Sequence, residues 1–331
     1  MANRLRWGVI GTARINAKVL PHFETSSRNT LHGVASRNLL RARVEADRYR
    51  IPHAYGSYAE LVADPAVEVV YISLPNHLHF EWAKASLEAG KHVLCEKPLT
   101  LDVNEAEILV ALAKVKKLQL AEGYMYRHHA QSVRILELVR GGTLGEVRGV
   151  QGSFHITIAP GANIRTDGRT GGGALADVGC YLVNFANAII GRAPEHVFAR
   201  GRIQGTTPAE NYDTLFSALL DYGNGVSAQL DGGFLGPRID ELRILGEKGW
   251  LEIPHPFKPT EIENLRLFRR PTRESPVTLE TIEVKDVDDP YRSEIENFGA
   301  LIEGVGKFPI AAWETFAGVS TLSNIYTGLR A

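Results

Sequence analysis

The sequence predicts an α/β chain of two domains. Residues 1–122 read as a doubly wound parallel sheet, and residues 123–331 as an α+β domain built on a large, mainly antiparallel, open-faced sheet. Three observations predict it. Short apolar runs alternate with helical patterns from residue 5 to about residue 120, the pattern of parallel strands joined by helical crossovers. A glycine turn at Gly11 directly follows the first of these strands. Past residue 122 the alternation gives way to strand-like segments joined by Gly, Asn and Asp turn signals, which suits hairpin-connected strands.

Taken in order, residues 5–10 form the first strand, 15–23 a helix and 30–35 the second strand. Residues 67–73, rich in β-branched side chains, form a third clear strand. A helix over 79–89 stops at Gly90, and strand 92–95, helix 103–115 and strand 118–121 complete the first domain. A helix over 132–139, ending at Gly141 and Gly142, opens the second. Strands follow over 147–158, 196–203, 212–221, 225–234, 240–245 and 249–253. A helix over 174–190 interrupts them and covers one face, and the tail is helical over 291–303 and 313–329.

Composition narrows the function classes. The 331 residues are 44% apolar, enough for two cores. Lys and Arg number 37 against 38 Asp and Glu, a net charge of -1, without the basic excess that a nucleic-acid surface requires. Cys95 and Cys180 are the two cysteines; they make no disulfide framework and suit a reducing compartment. No leader pattern precedes the first strand, and no apolar run approaches the roughly 18 residues of a membrane span. The expectation is a cytoplasmic protein with neither membrane nor nucleic acid as partner.

Gly11, Thr12, Ala13, Arg14 and Ile15 lie between the first strand and the first helix. A tight turn there turns backbone N–H groups and the helix N-terminus toward a pyrophosphate. The dinucleotide fingerprint Gly-x-Gly-x-x-Gly is met here by Gly11, Ala13 and Asn16, so one glycine of the three is present, and Asn16 suggests slightly looser helix–sheet packing. The end of the second strand carries Ser36 and Arg37, with Arg41 one helical turn on, where NAD sites usually place an acid. A hydroxyl and two guanidiniums suit a 2′-phosphate, which favours NADP over NAD. After the third strand, Ser73, Leu74, Pro75 and Asn76 form a loop expected under the nicotinamide ribose, with His79 near a cofactor oxygen.

Two further motifs carry candidate chemistry. Glu96-Lys97-Pro98 ends a buried parallel strand, at the edge where open α/β sheets bind ligands. A lysine partly desolvated there can exchange protons near neutral pH; an exposed Glu-Lys pair before a loop proline reads the same way in isolation. Gly171-Gly172-Gly173 precedes a helical pattern holding Asp177 and Tyr181, four residues apart and so on one face. A carboxylate and a phenol beside a glycine turn can orient and protonate a hydroxyl or carbonyl, though such pairs also serve structure alone. Tyr124, Tyr126, Arg127, His128, His129 and Asn163 supply polar groups for a hydroxyl-rich ligand, and Phe154 and Met125 suit apolar walls or core packing. His128 and His129, being adjacent, point apart, and no His/Cys cluster supports a metal site.

These three motifs, in this order and spacing over nearly the whole chain, resemble the glucose–fructose oxidoreductase / inositol dehydrogenase / rhizopine catabolism (Gfo/Idh/MocA) family, including the late segment 291–309. Tyr181, where many members have histidine, is similar to the subgroup of glucose–fructose oxidoreductase, NADP-dependent xylose dehydrogenases, dihydrodiol dehydrogenases and deoxysugar 3-ketoreductases. The resemblance implies a Rossmann domain and an NADP-dependent hydride transfer to or from a carbinol or carbonyl carbon of a sugar or polyol. It places Lys97 beside the reacting oxygen as proton relay, with Tyr181 as its hydrogen-bonding partner or the direct donor. Asp177 then positions substrate and lysine, Arg165 contacts the cofactor, Glu96 and Lys97 also border it, and Arg127 joins the substrate residues. Ala130 stands where a proline is frequent in the segment opening the second domain. Specificity loops are expected at 156–170 and 234–238. Two alternatives stay open: a catalytically inactive NADP-sensing regulator of the same fold, against which stand Lys97, Asp177 and Tyr181, and a sugar–sugar oxidoreductase with tightly held cofactor. The exposed sheet face calls for cover, so a homodimer or homotetramer through that face is expected.

Overall fold

The computed structural model describes residues 4–159 and 163–330, which divide into two units. The first comprises residues 1–125 and 289–312, the second 126–288 and 313–331. The first boundary lies three residues past the expected one. Residues 289–312 belong with the first unit rather than with the second, for a packing reason given below.

The first unit holds six strands: β1 (Leu5–Ile10), β2 (Asn29–Ala35), β3 (His53–Tyr55), β4 (Val69–Ile72), β5 (His92–Glu96) and β6 (Leu120–Gly123). All pair in parallel, in the order β3-β2-β1-β4-β5-β6. This is the Rossmann order, with its switch point between β1 and β4. The helices between the strands are α1 (Asn16–Val19), α2 (Leu39–Tyr49), α3 (Tyr58–Ala63), α4 (His79–Glu88) and α5 (Val103–Lys116).

Strand alternation sends side chains to two buried faces. Ile10, Val70, Ile72, Val93 and Cys95 pack with Leu61, Ala83, Leu87 and Leu109 of α3, α4 and α5. Trp7, Val9, Val69, Tyr71 and Leu94 point the other way, onto Val19, Leu20, Phe23, Ile295 and Phe298. The late helix Pro290–Ile302 is therefore part of the cover of this sheet: Phe298 meets Trp7 edge-on at 5.7 Å. Helix α2 and strand β3 went unassigned in the sequence. The buried stripe of α2 is only Ala42 and Ala46, too small to raise an apolar periodicity above its many arginines.

The second unit is an eight-stranded sheet. Its strands are β7 (Val147–Thr157), β8 (His196–Gln204), β9 (Tyr212–Asp221), β10 (Ser227–Gly233), β11 (Leu235–Gly246), β12 (Gly249–Pro254), β13 (Ile262–Arg269) and β14 (Thr278–Lys285). The order is β14-β13-β12-β11-β7-β10-β9-β8, and every pair but β7–β10 is antiparallel. Helices α6 (Ala130–Arg140) and α7 (Cys180–Ile190) and the terminal helix Ala312–Arg330 complete it.

In β9, Phe216, Ala218 and Leu220 are buried while Leu215 and Leu219 are exposed, so one face of the sheet is covered and the other open. Helix α7 is the cover: an added Cβ at Gly152 of β7 would run into Leu182. The stretch Gly168–Ile190 reaches the length and apolarity of a membrane span, correcting the expectation that no run does, but 89% of its most apolar window is buried inside the protein. It is a core helix. Strands β13 and β14 lie beyond the expected ones: β14 buries only Val284 and lacks the apolar alternation of a covered strand, and β13 spends one of its buried positions on Glu263.

Candidate functional site

Four strands of the first unit end level with one another. Register pairs Ile10 with Ala35, Ile10 with Ile72, and Ile72 with Cys95. The residues that follow are the candidates: Gly11–Ile15 after β1, Ser36 and Arg37 after β2, Ser73–Asn76 after β4, and Glu96–Lys97 at the end of β5. The fold thus gathers them along one carboxyl edge, where this topology binds dinucleotides.

Gly11 has φ +111, and its N–H donates to Ala35 O at 3.0 Å. A Cβ there would meet Leu74 and Ser73 atoms at 3.1–3.2 Å, so the turn needs glycine both for its backbone angle and for its closeness to the β4 loop. Thr12 and Ala13 are half-buried, and Arg14 is exposed. Asn16 corrects the expectation of looser packing. It is fully buried, and its Nδ2 donates to Gly11 O at 3.0 Å and to Glu45 Oε1 of α2 at 2.8 Å. The amide side chain takes the place of the third glycine by tying the turn to α2.

Ser36 is buried; its Oγ accepts from Asn38 N, and Asn38 Oδ1 caps α2 by accepting from Leu40 N and Arg41 N at 2.9 and 3.4 Å. Arg37 and Arg41 are exposed beside that helix start. Burial pushes the Tyr58 phenol up, and the neighbouring Arg37 guanidinium offsets part of that rise. A hydroxyl, two guanidiniums and a helix N-terminus, with no acid at the strand end, suit a dinucleotide whose ribose carries a phosphate.

The turn after β5 is held from three sides. Tyr71 of β4 donates its hydroxyl to Glu96 Oε1 at 2.7 Å. Glu122 of β6, buried, accepts from Leu99 N at 2.9 Å. His79 lies with Nδ1 2.8 Å from Pro98 O and Nε2 2.8 Å from Leu74 O. Both nitrogens of this fully buried ring face backbone carbonyls, which corrects its expected bond to a cofactor oxygen. Burial holds its pKa below the ordinary histidine value, against the pull of the two carbonyls. The neutral ring carries one N–H and so donates to one of the two carbonyls while packing against the other, between the β4 loop and the Glu96-Lys97-Pro98 turn, where Lys97 is half-buried. The Lys97–Pro98 peptide is cis. Glu122 and Tyr71 escaped the sequence reading. The available signal was a tyrosine inside an all-apolar strand, whose buried hydroxyl requires an acceptor.

In the second unit, the glycine triplet is explained by what surrounds it. A Cβ on Gly172 would strike the carbonyl oxygens of Arg165, Ile164 and Asp167 at 2.7–2.8 Å. Gly173 has φ +133, and a Cβ on it would overlap the Asp213 carboxylate. That carboxylate, from β9, accepts from Leu175 N at 2.6 Å. The helix therefore starts against a buried anion, and its first turn, Leu175–Gly179, winds as a π-helix before α7, a local form frequent at functional sites.

Burial raises the Asp213 carboxyl to about 6, well above the ordinary aspartate range, against the backbone N–H groups that favour the ionised form. A carboxyl raised on folding costs stability where it must ionise, so stability falls as pH rises from about 4 to 6 and stays reduced above. An Asp213→Asn variant keeps the acceptor and loses the ionisation. Its unfolding free energy relative to the parent should rise by about 2–3 kcal/mol between pH 4 and pH 7. Urea unfolding at both pH values measures this, and parallel profiles would refute it.

Asp177 and Tyr181 follow this start. Asp177 Oδ2 pairs with Arg165 Nε at 2.9 Å, so Arg165, expected at the cofactor, has its guanidinium on the carboxylate meant to position substrate. Tyr181 is 6% exposed among the rings of Tyr126, Phe154 and Phe257, with centroids 5.6–5.7 Å away. Lys258 Nζ lies 3.3 Å from its hydroxyl. The sequence reading did not single out Lys258.

Several expected ligand residues make contacts within the fold. Arg127, expected at the substrate, is 1% exposed and ion-paired with Glu314 at 2.8 Å, and it also donates to Asn184 Oδ1 at 3.0 Å. Tyr126 spends its hydroxyl on the same Asn184 oxygen, at 2.6 Å. His129 caps α6 through Nδ1, and burial with the adjacent Arg127 charge drives His128 down to about 3. Tyr126, Arg127, His128 and His129 are all buried within the second unit. Asn163 accepts from Arg165 N. Residues 160–162 of the expected specificity loop lie outside the described residues.

Comparison with known proteins agrees with these two units. Residues 5–124 match the model of the oxidoreductase family with an NAD-binding Rossmann fold, and residues 133–252 match the GFO/IDH/MocA C-terminal domain. An uncharacterized oxidoreductase of Rhizobium meliloti is 38% identical, over 92% of this chain and 91% of its own length. A D-xylose 1-dehydrogenase (NADP(+)) of Haloferax volcanii is 35% identical, over 97% and 96%. The crystal structure of a 3-ketoreductase from Actinomadura kijaniata, in complex with NADP and TDP-benzene, superposes with a TM-score of 0.88 at 30% identity, covering 99% of this chain and 98% of that one. With both domain models matched in order and relatives aligned end to end, the chain belongs to the Gfo/Idh/MocA family of oxidoreductases.

Proposed function

We propose that this protein is an NADP-dependent oxidoreductase acting on a CH–OH group of a sugar, a nucleotide-linked sugar or a polyol. The observation that carries the reading is the carboxyl edge of the parallel sheet, where the Ser36–Arg37 pair, the Gly11 turn, the Ser73–Asn76 loop and Lys97 stand at the ends of the neighbouring strands β2, β1, β4 and β5. Two named relatives support the cofactor and substrate class: one is an NADP xylose dehydrogenase, the other a 3-ketoreductase crystallised with NADP and a TDP compound.

In this reading the Gly11 turn and the N-terminus of α1 receive the pyrophosphate. Ser36, Arg37 and Arg41 take the 2′-phosphate, and Leu74 and Pro75 border the nicotinamide. Bound NADP supplies the hydride acceptor or donor. Lys97 relays the proton of the reacting oxygen, Tyr181 shares that task, and Asp177, held by Arg165, orients substrate hydroxyls. Exposed Phe198 (61%), Leu215 (38%) and Leu219 (42%) on the open sheet support self-association of two copies through that face.

The test is the absorbance of reduced nicotinamide with NADP and with NAD, across aldoses, ketoses, dihydrodiols and nucleotide-linked ketosugars. Turnover with one of these classes, faster with NADP, is expected. Binding of NADP with no turnover in either direction across the panel would favour a regulator and overturn the reading. In an Arg37→Ala variant, the Kd for NADP should rise about tenfold or more while that for NAD stays level, since a charge-assisted bond to phosphate is lost. Equal loss for both dinucleotides would remove Arg37 from the phosphate site.

A further inference from the structure

Lys258 sits in the seven-residue loop between β12 and β13, a segment fixed at several points. Pro256 and Pro259 restrict it. His255 N donates to Asp240 O at 2.9 Å, Phe257 N donates to Asp240 Oδ1 at 3.3 Å, and Thr260 N donates to Glu263 Oε1 at 2.7 Å. Asp240 is itself buried, and its carboxyl is pushed above the ordinary range by that burial. The Phe257 ring, fully buried, stacks on Phe154 at 5.2 Å and contacts Tyr181. A lysine at position 258 is thereby delivered to a set place instead of trailing into solvent.

That place is the phenol of Tyr181. The ammonium is 3.3 Å from the hydroxyl oxygen and 5.1 Å from the ring centroid. It therefore meets both the oxygen and the ring, in surroundings made apolar by Tyr126, Phe154 and Phe257. Several ionisable groups lie about the pair. Tyr126 is packed on the Tyr181 ring, with its own hydroxyl on Asn184. Asp177 is one turn earlier on the same helix, ion-paired with Arg165, and Cys180 precedes Tyr181 and contacts Asp177 O. Arg127 and Glu314 lie paired behind Tyr126, and Asp240, Arg238 and His255 surround the base of the Lys258 loop. Lys258 stands at hydrogen-bond distance from the Tyr181 oxygen. A cation that close, in poorly hydrated surroundings, favours the ionised phenol.

We propose that Lys258 is the positioning residue for Tyr181: its ammonium holds the phenol oxygen in place and stabilises the phenolate, setting the pH range over which Tyr181 exchanges a proton. This rests on the reading of Tyr181 as a participant in proton transfer. Lys97 and Lys258 then have separate tasks, the first at the reacting oxygen and the second at the phenol.

The experiment is a phenolate absorbance titration of the full-length protein, taken as the difference between the parent and Tyr181→Phe. The same difference is then measured in a Lys258→Met background. The first midpoint, which belongs to the coupled pair, should move up by about one pH unit or more in Lys258→Met, and Lys258→Arg should return it most of the way. In steady state, kcat of Lys258→Met should fall about tenfold at neutral pH, with KM and NADP binding within about twofold. Unchanged midpoints overturn the proposal. So does a raised KM with kcat unchanged, which would make Lys258 a cation for the substrate. If Tyr181→Phe turns over normally, the assignment of Tyr181 in the proposed function fails instead, while the titration still reports whether Lys258 governs the phenol. Circular dichroism on each variant confirms that it is folded.

Discussion

A Lys97→Ala variant should lose about 10²- to 10⁴-fold in kcat, the usual contribution of one positioned proton-transfer group, while its Kd for NADP changes by no more than a few-fold. The geometry motivates the split. The turn carrying Lys97 is held by Tyr71 on Glu96, Glu122 on Leu99 N and His79 on Pro98 O. These contacts act on Glu96, Leu99 N and Pro98 O, so the turn keeps them when the lysine side chain is truncated. A loss of that size corresponds to about 3–5 kcal/mol of transition-state stabilisation. Lys97→Arg separates the two things an ammonium offers. Arginine keeps the charge but does not release its proton in proteins. If Lys97 relays a proton, Lys97→Arg should be nearly as slow as Lys97→Ala; if it merely supplies positive charge, Lys97→Arg should recover most of the rate. Stopped-flow and steady-state rates with intrinsic-fluorescence binding measure both quantities. Normal turnover in Lys97→Ala would end the assignment.

What could be read from the sequence follows from how each residue is used. The parallel sheet was legible because its strands are buried on two faces and leave unbroken apolar runs, such as that of β4. The carboxyl-edge positions of Gly11, Ser73 and Lys97 followed from those runs, since a residue just past a strand end has its place fixed by the topology. Helix α2 and strand β14 were not legible, because their buried stripes are two alanines and a single valine; β13 alternates, but a charged Glu263 holds one of its buried positions beside Leu265 and Leu267. The transfer of residues 289–312 to the first unit was equally hidden: Ile295 and Phe298 show an amphipathic helix, but only Trp7 and Phe23 show which sheet it covers. Among site residues, the differences from expectation share a cause. His79 and Arg127 have the chemistry of ligand-binding groups, and sequence cannot tell an imidazole facing a pocket from one facing two carbonyls. Lys258 was missed for the opposite reason. Its partner lies 77 residues away in the chain, and nothing local marks a lysine as the neighbour of a phenol.

Arg127→Met should destabilise the folded protein by about 3–5 kcal/mol, the cost of removing one partner from a buried ion pair. The guanidinium and Glu314 are 1% and 5% exposed, and the pair bridges residue 127, at the opening of the second unit, to the terminal helix Ala312–Arg330. Removing the cation leaves a carboxylate in a place poor in water, and also takes a donor from Asn184 Oδ1. The double variant Arg127→Met/Glu314→Leu should recover much of the loss, because a buried pair replaced by apolar groups of similar size is often neutral or stabilising. Urea unfolding of the parent, the single variant and the double variant measures this cycle. The kinetic counterpart discriminates the two roles weighed for this residue. A substrate ligand, when removed, raises KM and leaves the unfolding midpoint where it was. A buried structural cation does the reverse: at a temperature where Arg127→Met is still folded, KM should stay within about twofold of the parent. Tyr126 connects this ion pair to Tyr181, for its hydroxyl shares Asn184 Oδ1 with Arg127 while its ring packs on Tyr181. A modest fall in kcat at constant KM is therefore compatible with the structural role, whereas a rise in KM at constant stability is not, and that result would return Arg127 to the substrate.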